Sequence, residues 1–213
     1  MSPQEYDAWY ASSRGAWIGE TEYALLRRLL GAERRASVLD VGCGTGYFSR
    51  RFARDGHPVT GVDLDPAMVE FARTHAAAGE TYWVADAHAL PFGDRSFDYC
   101  VSVTALCFVR DERKALEEMV RVAHRGVALG LLNRHSLLYW QKGRHGGSGT
   151  YRGAHWHTAR EAQSLLAGLP LDTPRIRSAV FLAAGGAGSR RLEAQVSNRV
   201  LWGGFLAVAA ARS

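Results

Sequence analysis

Lysine is almost absent from this sequence of 213 residues, because Lys114 and Lys142 are the only two and arginine supplies the other 24 of the 26 basic side chains. The formal net charge is +5, but the arginines are scattered along the chain and form no single basic tract. An excess of Arg, Ala and Gly with little Lys is typical of codon bias in a G+C-rich genome. The positive charge therefore gives little support to a nucleic-acid partner, which we disfavour.

Cysteine and long apolar runs are also scarce. The three cysteines, Cys43, Cys100 and Cys107, cannot all pair and have no CxxC spacing, so we expect reduced thiols in a cytoplasmic protein. The first 30 residues lack the basic and apolar regions of a secretory signal. The longest C-terminal apolar stretch, 200–211, is about half a membrane span and contains two glycines, so we expect no transmembrane helix.

The remaining composition is that of one globular domain, spanning residues 1–213, with 47% hydrophobic and 22% charged residues. Runs that are apolar on both faces predict parallel strands covered by helices. Their alternation with helical patterns predicts a doubly wound α/β sheet, with right-handed crossovers. The predicted strands are 37–41, 58–62, 81–85, 97–103, 126–132, 175–181 and 205–211, and the predicted helices are 47–54, 66–77, 110–122 and 158–167.

Two segments lack this alternation of strand and helix patterns. Residues 1–30 are rich in aromatic side chains, and we predict a helical lid in which Tyr10 and Trp17 face the ligand; the alternative is an amphipathic helix that only packs on the sheet. Residues 133–157 are rich in Gly and His, and we predict an excursion toward the acceptor side. Irregular segments of this length are usually functional or mobile.

The most informative segment joins a buried strand to a helix through Asp40-Val41-Gly42-Cys43-Gly44-Thr45-Gly46. Glycine is needed where the backbone turns at positive φ or where a ligand approaches closely. A dinucleotide-binding turn would have its third glycine at position 47, which is Tyr. The turn therefore presents its backbone to a ligand of another kind.

Two further motifs follow in order: Gly61-Val62-Asp63-Leu64-Asp65-Pro66-Ala67-Met68, and Ala85-Asp86-Ala87-His88-Ala89-Leu90-Pro91-Phe92 with Ser96-Phe97-Asp98. Together with the glycine turn, they closely resemble class I S-adenosylmethionine-dependent methyltransferases of type 11, the branch that includes ubiquinone and menaquinone biosynthesis enzymes. The resemblance covers residues 6–132. It implies a Rossmann-like seven-stranded sheet in the order 3-2-1-4-5-7-6, with strand 7 antiparallel.

The resemblance also implies S-adenosyl-L-methionine as the cofactor. Asp63 would hold the ribose hydroxyls; Asp65 is the alternative acid, although its position before a proline favours a helix cap. Asp40 would lie near the methionine amino group, or it would only stabilise the turn. Asp86 and the Ala87 N–H would contact the adenine, between Leu64 and Met68, although a helical Met is often core. The full predicted cofactor-binding set is Tyr10, Trp17, Asp40, Gly42, Cys43, Gly44, Gly46, Asp63, Leu64, Met68, Asp86, Ala87 and Thr104.

Methyl transfer from a sulfonium is an in-line displacement that needs positioning and no Lewis acid. We predict His155 and His157 as candidate general bases, because imidazole titrates near neutral pH. A metal cluster of the loop histidines is the alternative, but no carboxylate accompanies them in the sequence, so we expect no metal. The predicted acceptor pocket is lined by Tyr10, Trp17, Asn133, Tyr139, Tyr151, His155 and His157.

We expect a small-molecule acceptor. The segment Thr104-Ala105-Leu106 lacks the Pro-containing motifs of base methylation, and the scarcity of Lys disfavours ribose methylation of the Lys-Asp-Lys-Glu kind. An RNA or protein acceptor and a nonenzymatic S-adenosylmethionine-binding domain stay open as alternatives. The acceptor, the methylated atom and the oligomeric state are not encoded in any pattern we recognise.

Overall fold

The computed structural model describes residues 2–213, so Met1 of the predicted lid lies outside the described residues. A seven-stranded sheet has the order β3-β2-β1-β4-β5-β7-β6. Strands β1 to β5 are parallel, and β7 is antiparallel to both of its neighbours. The predicted fold is therefore confirmed. The strands are β1 Val38–Val41, β2 Val59–Asp63, β3 Glu80–Val84, β4 Phe97–Val103, β5 Ala123–Leu132, β6 Arg175–Ala179 and β7 Phe205–Ala211.

The helices follow the capping rules that their sequences suggest. Asp65 caps α4 by accepting a hydrogen bond from Ala67 N, and Thr158 with Glu161 forms a capping box at α6. One helix, α7, was missed in the sequence because its start is glycine-rich. The helices are α1 Pro3–Ala11, α2 Ser13–Leu30, α3 Tyr47–Arg54, α4 Pro66–Thr74, α5 Glu112–Val122, α6 Ala159–Leu166 and α7 Ala187–Gln195.

The sheet buries both of its faces, as its apolar strands require. On one face, Val38 and Val101 pack with the buried side chains of α2 and α3. On the other face, Leu39 and Leu129 pack with those of α5 and α6. None of the helices within residues 2–213 is both long and apolar enough to cross a bilayer.

The carboxyl ends of the parallel strands gather the segments that the sequence singled out. The glycine turn follows β1, Asp63 ends β2 and Thr104 follows β4. The Gly- and His-rich excursion follows β5 and forms short helical turns at Tyr139–Gly143, Arg144–Gly146 and Gly149–Tyr151. Ligands of open α/β sheets bind at this edge, so a ligand site is expected there.

Candidate active site

The turn after β1 holds three glycines in left-handed backbone conformations. Gly42, Gly44 and Gly46 have φ values of +73°, +52° and +80°, which residues with a Cβ rarely adopt. A Cβ on Gly42 would lie 2.2 Å from Ala105 Cβ, whereas a Cβ on Gly44 would meet only Tyr6 Cε1, at 3.7 Å. The protein thus leaves open space in front of Gly44, where a ligand can approach the backbone.

The Asp63 carboxylate lies beside this turn. Its Oδ2 accepts a hydrogen bond from Gly44 N at 2.8 Å, and its Oδ1 accepts one from Asp65 N at 3.0 Å. In dinucleotide-binding folds the N–H groups of the equivalent turn face a pyrophosphate. Here the Gly44 N–H faces a carboxylate, which repels phosphate, while both oxygens keep lone pairs for a diol. The turn therefore fits a ribose without a phosphate.

Asp40 supplies a second carboxyl group near the turn. It is 1% exposed, and Ser49 Oγ donates to its Oδ2 at 2.6 Å. Burial raises the pKa of Asp40 to about 6, the Ser49 hydrogen bond opposes that rise, and the nearby Asp63 carboxylate adds to it. Two carboxyl groups beside one turn favour a ligand of positive charge. The donor set therefore fits the sulfonium and ammonium groups of S-adenosylmethionine.

A cavity of about 370 Å³ is lined by Tyr6, whose ring is the nearest group to the open space at Gly44. Thr104 lines the cavity with φ +58°, a strained conformation for a β-branched residue, and its N–H donates to Gly130 O at 2.8 Å. Strain of this kind is concentrated at functional sites.

One wall of the cavity follows a spacing of four residues. Tyr6 and Tyr10 of α1 and Arg14, Ile18 and Glu22 of α2 all line it. Residues four apart share a face within one helix, so α1 presents one face and α2 another, and both faces line the cavity. Tyr10 also stacks on the Tyr47 ring, with centroids 3.6 Å apart.

Glu22 is the carboxyl group of this wall that has no hydrogen-bond or ion-pair partner within residues 2–213. The other wall carboxylate, Glu5, is held in a capping box with Ser2. Burial raises the pKa of Glu22 to about 8. Near neutral pH this side chain therefore holds its proton inside the cavity and can exchange it.

Residues 39–130 match the sequence model of a family described as a methyltransferase domain. This segment of the chain therefore carries the sequence signature of a methyltransferase domain. A malonyl-[acyl-carrier protein] O-methyltransferase of Erwinia pyrifoliae is 46% identical over 89 residues, which are 42% of this chain and 34% of that protein. One from Serratia marcescens is 38% identical over 123 residues, 54% of this chain and 48% of that protein.

The chain spans less than half the length of these curated relatives. Its fold is shared with a methyltransferase of Thermotoga maritima, described as a possible histamine N-methyltransferase, over 99% of this chain and 95% of that one. The TM-score is 0.78 and the identity is 23%. This likeness establishes the fold.

The structure brings several predicted cofactor residues of the methyltransferase domain to the same edge. Leu64, 68% exposed, follows Asp63 directly, and Met68 is half-buried in α4. Asp86 Oδ1 accepts hydrogen bonds from His88 N and Nδ1, the first of which contributes most to lowering the pKa of that carboxyl. The predicted roles of these residues toward the adenine, and that of the Ala87 N–H, stay predictions.

The thiol of Cys43 is not activated, although it sits at a helix N-terminus. Its side chain is buried, and burial raises the pKa of the thiol well above its usual value. A thiolate there is therefore disfavoured. The glycine turn uses Cys43 through its backbone, because Cys43 N donates to Val62 O at 2.9 Å.

Of the two predicted lid aromatics, only Tyr10 lines the cavity of the methyltransferase domain. Trp17 lies one position before Ile18, so it occupies the neighbouring face of α2 and packs against the core near Arg190. The prediction that Trp17 faces the ligand does not agree with this placement. Within α2, the residues that line the cavity are Arg14, Ile18 and Glu22, which are four positions apart.

The predicted acceptor pocket is only partly assembled. Tyr151 lines the cavity, but Asn133 is buried and donates from Nδ2 to Leu201 O and Gly203 O, at 3.0 and 2.7 Å. Tyr139 packs edge-on against Trp156. Asn133 and Tyr139 therefore fasten the excursion to the sheet instead of lining the cavity.

His155 and His157 are not on the cavity wall either. His157 Nε2 lies 2.9 Å from Glu112 Oε2, and His155 Nδ1 lies 3.1 Å from Glu112 Oε1. The expectation that no carboxylate accompanies these histidines is wrong, because α5 begins beside them and Glu112 is its first residue. Their predicted role as general bases has no support from this geometry.

Sequence reasoning missed three residues of interest. Tyr6 was signalled by its spacing of four from Tyr10 on one helix face. Glu22 had no local signal, because a single acidic residue in an amphipathic helix is usually a solvated one. Glu112 is 43 positions before His155 in the chain, and only the packing of α5 against the excursion brings them together.

Proposed function

We propose that this chain transfers the methyl group of S-adenosylmethionine to a small-molecule acceptor bound in the aromatic cavity. The observation that carries the proposal is the position of Tyr6, which borders the open space at Gly44 and also lines the cavity. The cofactor turn and the cavity are therefore adjacent. The volume of about 370 Å³ lies in the range of small-molecule sites and favours such an acceptor over a folded macromolecule.

The residues of the turn would bind and orient the cofactor. Asp63 would accept hydrogen bonds from the ribose hydroxyls, and its attachment to Gly44 N and Asp65 N holds the carboxylate in place. Asp40 would face the positive end of the ligand, since its pKa is raised and a neighbouring cation relieves the cost of its burial. When bound, S-adenosylmethionine supplies a methyl group already activated on a sulfonium.

The cavity residues would align the acceptor and exclude water. Tyr6, Tyr10 and Tyr151 give it an aromatic wall, and desolvation with alignment is what an in-line displacement needs. Where the acceptor must lose a proton, Glu22 is the group that would take it, because it is unpaired and faces the cavity. We propose Glu22 for this role in place of His155 and His157.

The test is methyl transfer from labelled S-adenosylmethionine into fractionated small metabolites, followed by identification of the labelled product. We expect label in a small molecule and none in RNA or protein. Binding of the cofactor without transfer to any fraction would instead support the alternative of a nonenzymatic binding domain. Label in the macromolecular fraction would contradict the small-molecule proposal.

The proton-acceptor assignment has its own test. Once an acceptor is known, kcat/KM of the wild type should rise with pH up to about 8, the pKa of Glu22. Glu22→Gln should lower kcat by about a hundredfold and flatten that profile, with cofactor affinity unchanged. A parallel His155→Ala variant should keep the wild-type profile, and an unchanged profile in Glu22→Gln would reject the assignment.

A cytoplasmic location is part of the proposal. It is supported by Cys43, Cys100 and Cys107, which are free and buried in the described structure.

A further inference from the structure

The cluster of Glu112, His155 and His157 lies behind the cavity wall and takes no part in the proposed transfer. One ligand-type atom from each of the three residues lies within 4.8 Å of the other two. His155 N donates to Cys107 O at 2.7 Å, and His157 N donates to Leu132 O at 2.8 Å. The backbone of both histidines is thus fixed.

Hydrogen bonding alone leaves this cluster incomplete. His157 is 2% exposed, and the side chain of Glu112 is 10% exposed. Two of their buried polar atoms, Glu112 Oε1 and His157 Nδ1, have no hydrogen-bond partner. Unsatisfied buried polar atoms are rare in proteins, and an ion in contact with Glu112 Oε1 would satisfy that atom. His157 Nδ1 lies on the other side of its ring from Nε2 and would not contact the same ion.

The contact between His155 and Glu112 has the proximity of ligand atoms without the direction of a hydrogen bond. His155 Nδ1 lies 3.1 Å from Glu112 Oε1, yet the two atoms form no hydrogen bond. Two atoms that bind a common ion point their lone pairs at the ion and not at each other. With ligand bonds of about 2.0–2.1 Å, neighbouring ligands of a tetrahedral zinc ion are about 3.3 Å apart. The observed 3.1 Å between His155 Nδ1 and Glu112 Oε1 needs to expand by only a few tenths of an ångström, and the ion would replace the hydrogen bond of 2.9 Å between His157 Nε2 and Glu112 Oε2.

From this geometry we propose that Glu112, His155 and His157 form a zinc site of two imidazoles and one carboxylate, with water completing the coordination. This ligand set suits divalent transition metals, Zn²⁺ among them. The side chain of His155 is 56% exposed, which gives the ion a route from solvent. The carboxylate sits in the first turn of α5, so the helix fixes its position beside the two histidines.

The ion would tie the end of the excursion to α5. The excursion supplies cavity residues such as Lys142 and Tyr151, and its terminal His157 pairs with Asn133 at the end of β5. A bound metal would therefore order one side of the cavity from behind. The chemistry at the cofactor stays free of metal in this proposal, so binding is measured without reference to activity.

The experiment is titration of Zn²⁺ into the full chain, without a histidine tag, in competition with a chromophoric chelator. We expect one equivalent bound at micromolar affinity or tighter, a higher Tm with Zn²⁺, and slower hydrogen exchange in residues 144–157. Glu112→Gln and His155→Ala should each weaken binding by tenfold or more and lose the Tm increase. Cobalt should give the visible absorption of a tetrahedral site in the wild type only.

Two matched variants make the result specific. His124→Ala removes an exposed histidine at the amino end of β5 and should bind as the wild type does. Cys107→Ser should also keep the site, because the thiol is engaged with Leu132 N. Absence of stoichiometric binding, or binding that survives both Glu112→Gln and His155→Ala in folded variants, would overturn the proposal.

Discussion

At the scale of single residues, Asp63 at the end of β2 and Asp65 just after it have different structural roles. Asp63 binds the backbone of the glycine turn, whereas Asp65 caps α4 two positions later. The sequence offered both as ribose ligands. Asp65 caps α4, so we propose Asp63 as the ribose ligand of the two.

Isosteric substitutions distinguish these tasks. Asp63→Asn should weaken S-adenosylmethionine binding by about tenfold, or about 1.4 kcal/mol, because a charged hydrogen-bond acceptor is lost. Asp65→Asn is the matched control, since Asn also caps helices well, and should change affinity less than twofold. Isothermal titration calorimetry measures both, and equal losses would remove the ribose assignment of Asp63.

Glu22 gives the protein a predictable dependence of stability on pH. Its folded-state pKa of about 8 lies above the usual 4.5, so between these values the folded state keeps a proton that the unfolded state releases. The stabilisation is complete below the unfolded pKa and is lost as pH rises through 8. The Glu22→Gln side chain does not titrate. The Tm of Glu22→Gln minus the Tm of the wild type should therefore be larger at pH 9 than at pH 5.

Thermal unfolding at both pH values measures this effect. A Glu20→Gln variant is the control, because Glu20 lies on the exposed part of the same helix in contact with Arg51. An identical Tm difference at pH 5 and pH 9 for Glu22→Gln would contradict the raised pKa.

At the scale of elements, α1 is fastened to the turn it covers. Asp7 Oδ1 accepts from Arg50 Nη2 at 2.7 Å, and Arg50 Nη1 donates to Thr45 O at 2.6 Å. The aromatic composition of α1 predicted a segment that covers a ligand. The fastening itself could not be predicted, because it joins residues 43 positions apart.

Asp7→Asn should loosen α1 without unfolding the domain. The ion pair is only partly exposed, and its loss should cost about 1 kcal/mol, which corresponds to roughly fivefold faster hydrogen exchange of the α1 amides. The amides of α5, on the other face of the sheet, are the internal control. Exchange that is unchanged in α1, or equally faster in α5, would argue against this local role.

The C-terminal elements show where sequence reasoning succeeds and where it ends. Strand β7 was predicted with the bounds that the structure gives, because its residues are apolar on both faces and six of the seven are buried. The capping box of α6 was likewise local and correct. Which residues line the cavity depends on which face of each helix packs against the sheet. Trp17 lies one position from Ile18, which lines the cavity, so a single position along α2 separates the two faces.

At the scale of the whole molecule, the cofactor turn, Asp63, Thr104 and α1 meet at one edge of the sheet. A ligand that binds there contacts segments from both packed faces and should stabilise the fold as a unit. At a concentration one hundred times its Kd, S-adenosylmethionine should add about 2.7 kcal/mol. For a domain of this size that corresponds to a Tm increase of roughly 5–10 °C.

Differential scanning fluorimetry tests this whole-molecule effect. S-adenosylmethionine and its demethylated product should both raise Tm, whereas NAD and ATP should not, because Asp63 repels a phosphate at Gly44 N. The Asp63→Asn variant should need a higher concentration for the same increase. A Tm increase with NAD equal to that with S-adenosylmethionine would contradict the assignment of the turn.

The joint between α1 and α2 has a mechanical consequence. Ser12 ends one helix and begins the next: its N–H donates to Trp9 O, and its Oγ accepts from Gly15 N. A Cβ on Gly15 would lie 2.0 Å from Trp9 O, so no side chain fits between the two helices. A connection of one residue has two soft dihedral angles and no slack. Helix α1 is therefore held at a fixed distance from α2, and any change in its direction has to occur at Ser12, where it would move Tyr6 and Tyr10 together in the cavity wall.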